Sequence, residues 1–413
     1  VNELNCQTYH AKPLKRIYIE KFGKTEKRPL GIPTMRDRAM QALQLLALEP
    51  VAETTADRIS FGFRKYRSPE DAREYAFRIL SRKDSPQWIL EGDIKSCFDK
   101  ISHEWMMEHI PTDKRILKEF MKCGYINKGK LYPTTEGSPQ GGVISPTYAN
   151  MVLDGMEPMI LNVYWRSKVK KTFGVKYNSH KVHMVRFADD FIVTASDKET
   201  LEAIKQMLES FLRERGLTLS MEKTVITHIN SGFDFLGWNF RKFKGKLIIK
   251  PSSKSMRKVT KKISEIIKNN RTTKQEILIQ RLNQVLIGWA NYHQGTCAKK
   301  CFGTIDNRTW KMLWKWAKRR HPNKKHQWIV DKYWKEYKGR RWAFRTEKSI
   351  LFSMSDMPIV RKSQMALDKN AFLDKEYFQK RSQKHRQKRK MAMSSNNAAH
   401  IGIMRYRCVS GMQ

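Results

Sequence analysis

The chain has 413 residues, and 81 Lys and Arg against 40 Asp and Glu give it a formal net charge of +41. A chain this basic repels itself unless a polyanion neutralises it, so DNA or RNA is the expected partner. No apolar run is long enough to span a bilayer, and we expect no membrane partner. The six cysteines show no disulfide pattern. We therefore expect a reducing compartment, the bacterial cytoplasm or nucleoid ahead of an organelle matrix.

The first predicted elements are a strand and two capped helices. Residues 88–94 have the pattern of a short buried strand, and Asp93 lies near its end. Ser102 is placed to cap the helix that follows. Ser145 is followed by a proline, the usual pairing of an N-cap with the first helical position, so a helix is predicted to run from there to Met156.

A hairpin comes next in the chain. Two short apolar runs, 182–187 and 191–194, flank a turn at residues 188–190. Asp197 is placed to cap a further helix, and residues 217–226 have the pattern of another strand. The order strand, helix, hairpin, helix, strand matches the split βαβ fold. In that fold the end of the first strand lies beside the tip of the central hairpin.

This topology predicts that Asp93, Asp189 and Asp190 lie together. Carboxylates from two elements can bind a pair of Mg²⁺ ions, which clamp the attacking and leaving oxygens of phosphoryl transfer. An Asp-Asp pair alone is more often a solvated turn. Here it accompanies a glycine-rich helix entry at 137–146, where a substrate can approach the backbone closely. Phe98 follows Asp93 by five positions, on the stretch that leaves the carboxylate. A Phe is by default a core residue, so Phe98 alone is not evidence of a site.

Seven motifs occur in order along the chain. They are RPLGIPT at 28–34, RISFGF at 58–63, GDIKSCFD at 92–99, GSPQGGVISP at 137–146, RFADD at 186–190, LSMEKT at 219–224 and FLGW at 235–238. Together they resemble the group II intron reverse transcriptase/maturase family, over roughly residues 12 to 342. The resemblance implies an α+β right-hand polymerase with fingers, a ferredoxin-like palm and a helical thumb/maturase domain.

The resemblance also implies roles for individual residues. Asp93, Asp189 and Asp190 would be the catalytic residues that ligate two Mg²⁺ ions, for which Mn²⁺ can substitute. Lys223 would be a general acid near the leaving pyrophosphate, although a solvated lysine at a strand end is the other interpretation. Phe98 would exclude a ribose 2′-hydroxyl. The residues implied to contact the nucleotide are Lys21, Arg28, Phe98, Gln140 and Ala188.

Residues 251–340 are basic and rich in tryptophan. They hold 23 Lys and Arg against 5 Asp and Glu, and seven of the chain's 11 Trp lie between 289 and 342. One helix is predicted to bury an apolar stripe of Leu278, Leu282, Val285, Trp289 and Tyr292. The charges are either solvated faces or, as aromatics among basic residues favour, an RNA surface. By resemblance to the maturase domain, the RNA-binding residues would be Trp314, Lys318, Arg319 and Arg320.

These observations predict three segments. Residues 1–240 would form the fingers and palm, with an incomplete N-terminus, and 241–342 the thumb/maturase domain. Residues 343–413 would form a basic, partly disordered tail. Within it, 381–390 hold six Lys or Arg and suit a truncated DNA-binding segment. No paired-cysteine motif follows, so we expect no HNH endonuclease.

The expected function is RNA-directed DNA synthesis by two-metal nucleotidyl transfer, with assistance to intron splicing and mobility. The partners would be an RNA template, a DNA primer, dNTP, the intron RNA and target DNA, with no oligomeric state indicated. Two alternatives stay open. One is a splicing-only maturase that has lost its polymerase activity. The other is a retron or defence-associated reverse transcriptase, a class that generally lacks the maturase segment.

Overall fold

The computed structural model describes residues 4–20, 27–138, 141–170, 173–337 and 340–395. Two of the predicted nucleotide contacts, Lys21 and Gln140, lie outside these ranges. None of the helices within them is long and apolar enough to cross a membrane.

The N-terminal part combines an antiparallel hairpin with two helices. Its elements are β1 (Leu14–Glu20), β2 (Lys27–Ile32), α1 (Met35–Thr55) and α2 (Pro69–Leu80). Both helices begin at a capping box, in which Thr34 pairs with Asp37 and Ser68 with Asp71. A capping box satisfies two backbone N–H groups that the first helical turn leaves without partners, so both helix starts are fixed locally.

A central segment connects this part to the hairpin. Its elements are β3 (Trp88–Asp93), α3 (Cys97–Lys100), α4 (His103–His109), α5 (Lys114–Lys122), β4 (Tyr125–Asn127), β5 (Lys130–Tyr132), α6 (Ser145–Leu153) and α7 (Met156–Tyr164). The short strands β4 and β5 complete a sheet in the order β2-β1-β4-β5. The predicted strand at 88–94 is confirmed. So is the cap of α4, where Ser102 Oγ accepts from the backbone of Trp105 at 3.2 Å.

The predicted helix from Ser145 to Met156 is wrong at its end. α6 stops at Leu153, and a new helix starts at Met156. Gly155 between them has φ +101°, a left-handed conformation that ends a helix. Its backbone N–H donates to the Asp57 carboxylate at 2.9 Å, so a distant acid fixes the break.

The palm is built around one antiparallel sheet. Its further elements are β6 (Arg166–Lys170), β7 (Phe173–Tyr177), β8 (His183–Phe187), β9 (Asp190–Ala195), α8 (Lys198–Arg213) and β10 (Val225–His228). The strand order β10-β3-β9-β8 is that of the predicted ferredoxin-like fold. α8 begins at Asp197 as expected, because the carboxylate accepts from the backbone of Thr200 at 2.8 Å. The strand predicted at 217–226 begins only at Val225.

A three-stranded sheet, a helical bundle and a short hairpin follow the palm. The elements are β11 (Phe233–Phe235), β12 (Trp238–Phe243), β13 (Lys246–Pro251), α9 (Ser253–Asn269), α10 (Gln275–His293), α11 (Lys299–Arg320), α12 (His326–Tyr333), β14 (Trp334–Tyr337) and β15 (Arg340–Phe344). The predicted segment boundaries at 240 and 342 fall inside β12 and β15. The bundle itself starts after Pro251.

The apolar stripe of α10 is rotated from the predicted one. Leu278 and Leu282 are fully buried as expected, but the stripe then continues through Leu286, Ala290 and His293. The other three predicted members are only half-buried at its border; they are Val285, Trp289 and Tyr292. The face of α10 that is turned to the bundle core is therefore centred on a different row of residues from the predicted one.

The bundle is joined to the palm by an aromatic stack. The Trp238 ring lies parallel to that of Tyr292, with centroids 4.5 Å apart. The Tyr292 hydroxyl donates to the carbonyl of Leu236 at 2.8 Å. The guanidinium carbon of Arg73, from α2, lies 4.9 Å from the Trp238 ring centroid. The FLGW motif therefore fixes the position of the thumb relative to the palm.

The described part of the basic tail lies against the rest of the chain. Its helix α13 (Lys375–Ser395) extends beyond the predicted basic run. Phe378 is buried and stacks on Tyr66 with ring centroids 5.0 Å apart. Arg381 and Lys362 both pair with Asp71 of α2. Arg389 donates to Asn291 of α10 at 2.6 Å. The described part of the tail is therefore packed against both palm and thumb.

Candidate active site

The predicted carboxylates meet at one edge of the palm sheet. Asp93 at the end of β3 pairs in register with Asp190 at the start of β9. Asp189 occupies the tight turn between β8 and β9, beside Ala188, whose φ is +56°. A positive φ at the first position of a two-residue turn matches the twist of the flanking strands. The hairpin geometry thus places all three carboxylates at adjacent positions.

Two close packings hold this edge together. The Phe191 ring covers Gly92, where an added Cβ would lie 2.2 Å from a ring atom. The backbone N–H of Ser220 donates to the carbonyl of Asp93 at 2.8 Å, which anchors the LSMEKT segment to the strand end. Lys223 on that segment places its Nζ 2.6 Å from Asp93 Oδ2. Gly92 is therefore required by the packing of Phe191, and the LSMEKT segment is held against Asp93 by these two contacts.

The cluster is electrostatically unfavourable without a cation. Burial, with the Asp93 charge, raises the pKa of Asp189, although the positive charges of Arg28 and Lys223 oppose the shift. Desolvation, then the charges of Asp189 and Asp93, raise the pKa of Asp190 to about 6. Three crowded carboxylates in a strongly basic chain indicate a cation site.

The donor chemistry fits divalent cations. Carboxylate oxygens are the ligands that Mg²⁺ takes in phosphoryl-transfer sites. Across the described ranges, no three ligating side chains are already arranged around one point. The Asp93 carboxylate is instead paired with the Lys223 ammonium group. To bind a metal ion, Asp93 would have to release Lys223.

Phe98 lies on α3, directly after the carboxylate strand. Its ring is half-buried and meets the edge of Phe63, with centroids 6.3 Å apart and planes at 77°. Its carbonyl accepts from the backbone N–H of Ser138 at 2.7 Å. The glycine-rich segment is therefore attached to the turn that carries Phe98. Phe63 is a neighbour that the sequence did not single out, although it ends the RISFGF motif.

The RISFGF motif also supports the hairpin tip. The backbone N–H of Phe61 donates to Arg186 at 2.9 Å, and that of Arg186 donates to Ile59 at 3.0 Å. Gly62 then lies against the turn, where an added Cβ would be 2.4 Å from the backbone nitrogen of Ala188. The predicted nucleotide contact Ala188 is itself buried at this turn.

A buried ion pair lies behind the hairpin. The Arg186 side chain is fully buried and pairs with Asp154, and it lies 3.9 Å from Asp57. Burial raises the pKa of Asp154 to about 6, although the Arg186 charge opposes the shift. This arrangement connects β8 to the break between α6 and α7. Neither acid was predicted, because neither belongs to a motif.

Replacing Gly62 by alanine should distort the hairpin tip. The new methyl group has no room beside the Ala188 backbone, and overpacking of this kind costs roughly 1–3 kcal/mol. We expect the reaction at the carboxylates to slow by roughly ten- to a hundredfold, which is about the same free energy. The control is Gly288→Ala on α10, where an added Cβ would meet nothing within 4 Å. Equal activity in both variants would contradict this role of Gly62.

Comparison with known proteins identifies the fold and both segments. Residues 19–240 match the reverse transcriptase (RNA-dependent DNA polymerase) family, and residues 256–334 match the group II intron, maturase-specific domain. The chain belongs to the group II intron reverse transcriptase family. The first match covers more than half of the chain, and the second covers most of the bundle that follows the palm.

Curated relatives of this reverse transcriptase agree with the assignment. Protein YkfC of Escherichia coli (strain K12) is 35% identical over 266 residues, which are 57% of this chain and 68% of that protein. Group II intron-encoded protein LtrA of Lactococcus lactis subsp. cremoris is 29% identical over 296 residues, 58% of this chain and 49% of LtrA. The chain thus matches about half the length of LtrA.

Among solved structures, the chain matches a telomerase. The structure is that of telomerase from Candida albicans in complex with a fragment of telomeric RNA, with a TM-score of 0.45 and 14% identity. The match covers 79% of this chain and 64% of that chain.

The predicted RNA-binding residues of this reverse transcriptase differ in their surroundings. Lys318 and Arg319 at the end of α11 are exposed. The Arg320 guanidinium instead donates to the carbonyl of Arg271 at 2.8 Å, and so holds the loop between α9 and α10. Trp314 is half-buried in an aromatic cluster. Two of the four residues therefore have structural contacts that the sequence did not indicate.

Proposed function

We propose that this reverse transcriptase copies RNA into DNA at Asp93, Asp189 and Asp190, and that its maturase domain holds the parent intron RNA. The observation that supports the first part is the register pairing of Asp93 with Asp190 at the hairpin that carries Asp189. The match of residues 256–334 to the maturase-specific domain supports the second part. It also disfavours a retron or defence-associated enzyme.

The proposed reaction joins a primer 3′-hydroxyl to the α-phosphate of a deoxynucleoside triphosphate. Asp93, Asp189 and Asp190 would hold two Mg²⁺ ions, with Mn²⁺ as a substitute. When bound, the metal supplies charge stabilisation to the attacking and leaving oxygens. The carboxylates contribute position, because the strand pairing fixes their backbones before substrate arrives.

Charged side chains around the carboxylates suit the rest of the reaction. Lys223 carries a proton on Nζ beside the site, and it would donate that proton to the leaving pyrophosphate after releasing Asp93. Arg28 on β2 is near enough for its charge to act on Asp189, and a guanidinium there suits a triphosphate. Lys21 and Gln140 remain predicted nucleotide contacts.

Phe98→Ala should relax sugar selection. The ring lies beside the carboxylate strand and against Phe63, where it would fill the space that a ribose 2′-hydroxyl needs. Removing it should raise ribonucleotide incorporation relative to dNTP by at least roughly tenfold, which is about 1.4 kcal/mol of discrimination. The measurement is the ratio of kcat/KM for matched nucleotides. If the ratio does not change, Phe98 is only a packing residue.

The remaining partners follow from the two halves of the proposal. The template would be RNA, the primer DNA, and the exposed basic face of α13 would contact target DNA. The place of action would be the bacterial cytoplasm or nucleoid.

Extension of an oligo(dT) primer on a poly(rA) template separates this proposal from a splicing-only maturase. We expect extension with Mg²⁺ and none after chelation, whereas a splicing-only maturase would give none in either condition.

A further inference from the structure

Three tryptophans of the maturase region form a row of parallel rings. The ring centroids of Trp310 and Trp314 are 5.9 Å apart with planes at 4°. Those of Trp310 and Trp342 are 6.2 Å apart with planes at 8°. The first two lie on α11, one turn apart, and the third lies on β15. The row therefore joins the helical bundle to the hairpin that follows it.

The row ends at the protein surface. Trp310 and Trp314 are half-buried, whereas Trp342 is 51% exposed. Leaving about half of an indole in water forgoes part of the stabilisation that its burial would give. Packing alone therefore does not explain a tryptophan at this position, while an aromatic ring held rigidly by a second ring is a preformed stacking platform.

The surroundings of the row are positively charged. Lys311, Lys315 and Lys318 on α11 are exposed and lie within one turn of Trp310 or Trp314. A helix that carries both exposed lysines and aromatic rings suits a strand whose bases stack while its phosphates pair with cations. The charge of the whole chain, +41, points to the same class of ligand.

A second exposed tryptophan of the maturase region has lysine ammonium groups over its ring. Trp328 on α12 is 38% exposed. The ammonium groups of Lys324 and Lys332 lie over its ring, 5.4 and 4.8 Å from the centroid. Cations thus occupy the positions that a stacked base would need. Trp328 is therefore a matched control for the loss of an exposed indole from the same domain.

We propose that Trp342 is a stacking site for an unpaired RNA base, with Trp310 behind it and the α11 lysines taking the flanking phosphates. This site rests on the proposed RNA-binding function of the maturase domain and specifies it: the recognised feature is a single-stranded segment, not a helix. A paired base in a duplex presents no face to an indole, because its neighbours already cover both faces.

The test compares two RNA probes of equal length, an oligoadenylate and a fully paired duplex, bound to the full chain at fixed salt. Trp342→Leu keeps an apolar side chain but removes the ring, and Trp342→Phe keeps a ring. We expect Trp342→Leu to weaken oligoadenylate binding by roughly 5- to 100-fold and to leave duplex binding unchanged. Trp342→Phe should retain most of the affinity.

Two controls separate stacking from charge and from folding. Trp328→Leu should leave both affinities unchanged. Lys315→Ala should weaken both probes alike and make the salt dependence less steep, by roughly 0.7–0.9 of a unit for each lost phosphate contact. Trp342→Leu should leave the salt dependence as it is. Thermal unfolding of each variant checks that the domain is intact.

The stacking site is wrong if Trp342→Leu leaves oligoadenylate binding unchanged, or weakens both probes equally while the protein stays folded. It is also wrong if Trp342→Phe binds no better than Trp342→Leu. Failure of the proposed function would look different, because the unmodified chain would then bind neither its intron RNA nor these probes.

Discussion

Asp189→Ala should reduce primer extension at least about a thousandfold, because metal-held charge stabilisation contributes several kcal/mol and each 1.4 kcal/mol is about tenfold. The chain should nevertheless fold normally. Asp189 lies beside two other carboxylates, and its own pKa is raised by burial and by Asp93. Removing its charge relieves repulsion, so the melting temperature of the metal-free protein should not fall.

The control for this variant is an acid that precedes the start of β3, whereas Asp93 lies at the end of that strand. Asp84→Ala removes an exposed carboxylate that lies 3.4 Å from Arg82 on the surface, and we expect full activity from it. Steady-state primer extension and thermal unfolding of both proteins are sufficient. Near-normal extension by a folded Asp189→Ala protein would show that the carboxylates do not carry the chemistry.

Asp71→Asn should destabilise the chain by roughly 3–5 kcal/mol, the usual effect of removing one partner from a buried charge group. The Asp71 side chain is fully buried and pairs with Lys362 at 2.8 Å and also with Arg381. Asparagine keeps the shape and the acceptor for the helix cap of Ser68, but it leaves two cations without their counter-charge. The tail should then detach from α2.

Two measurements follow this detachment. Urea unfolding gives the free-energy change, and limited proteolysis should show faster cleavage within residues 355–395. The control is Glu376→Gln on α13, whose pair with Lys380 is exposed and should affect neither measurement. Equal stability of Asp71→Asn and the unmodified chain would show that the tail is not fastened at this point.

The same acid predicts a pH dependence. Burial raises the pKa of Asp71, but Lys362 and Arg381 more than compensate, so its folded-state pKa lies below the ordinary value. A depressed carboxyl pKa stabilises the fold at pH above about 4 and loses that contribution as the pH falls further. Asp71→Asn should therefore unfold with a weaker acid dependence than the unmodified chain below that pH.

The palm could be predicted because its signals are local. Short apolar runs marked β3 and the hairpin strands, and a side chain such as Asp197 marked a helix start within three residues of its partner. The order of these elements then restricted the topology. That is why Asp93 and the two hairpin acids could be placed together before the structure was known.

The features that were missed depend on distant contacts. The helix break at Gly155 is fixed by Asp57, 98 positions away. Lys362 reaches Asp71 across 291 positions. Periodicity within a window of one helix carries no information on such pairs. The contact of the basic tail with a buried acid of α2 could not be predicted for the same reason.

The central claim is that polymerisation and intron binding depend on different kinds of side chain in different segments of the chain. The palm concentrates carboxylates at one sheet edge, whereas the bundle spreads lysines and aromatic rings over α11. The most direct test compares Asp189→Ala/Asp190→Ala with a charge-reversed variant of α11. The second variant carries Glu at Lys315, Lys318 and Arg319, which are exposed, and leaves Arg320 in its loop contact.

The measurement is intron RNA binding against salt, beside a splicing time course, for both proteins. The palm variant should make no DNA yet bind and splice nearly as well as the unmodified chain. The α11 variant should bind intron RNA weakly, with a less steep salt dependence, because each lost phosphate contact removes about 0.7–0.9 of a unit from the slope. Equal loss of splicing in the two variants would contradict the claim, since both functions would then depend on one site.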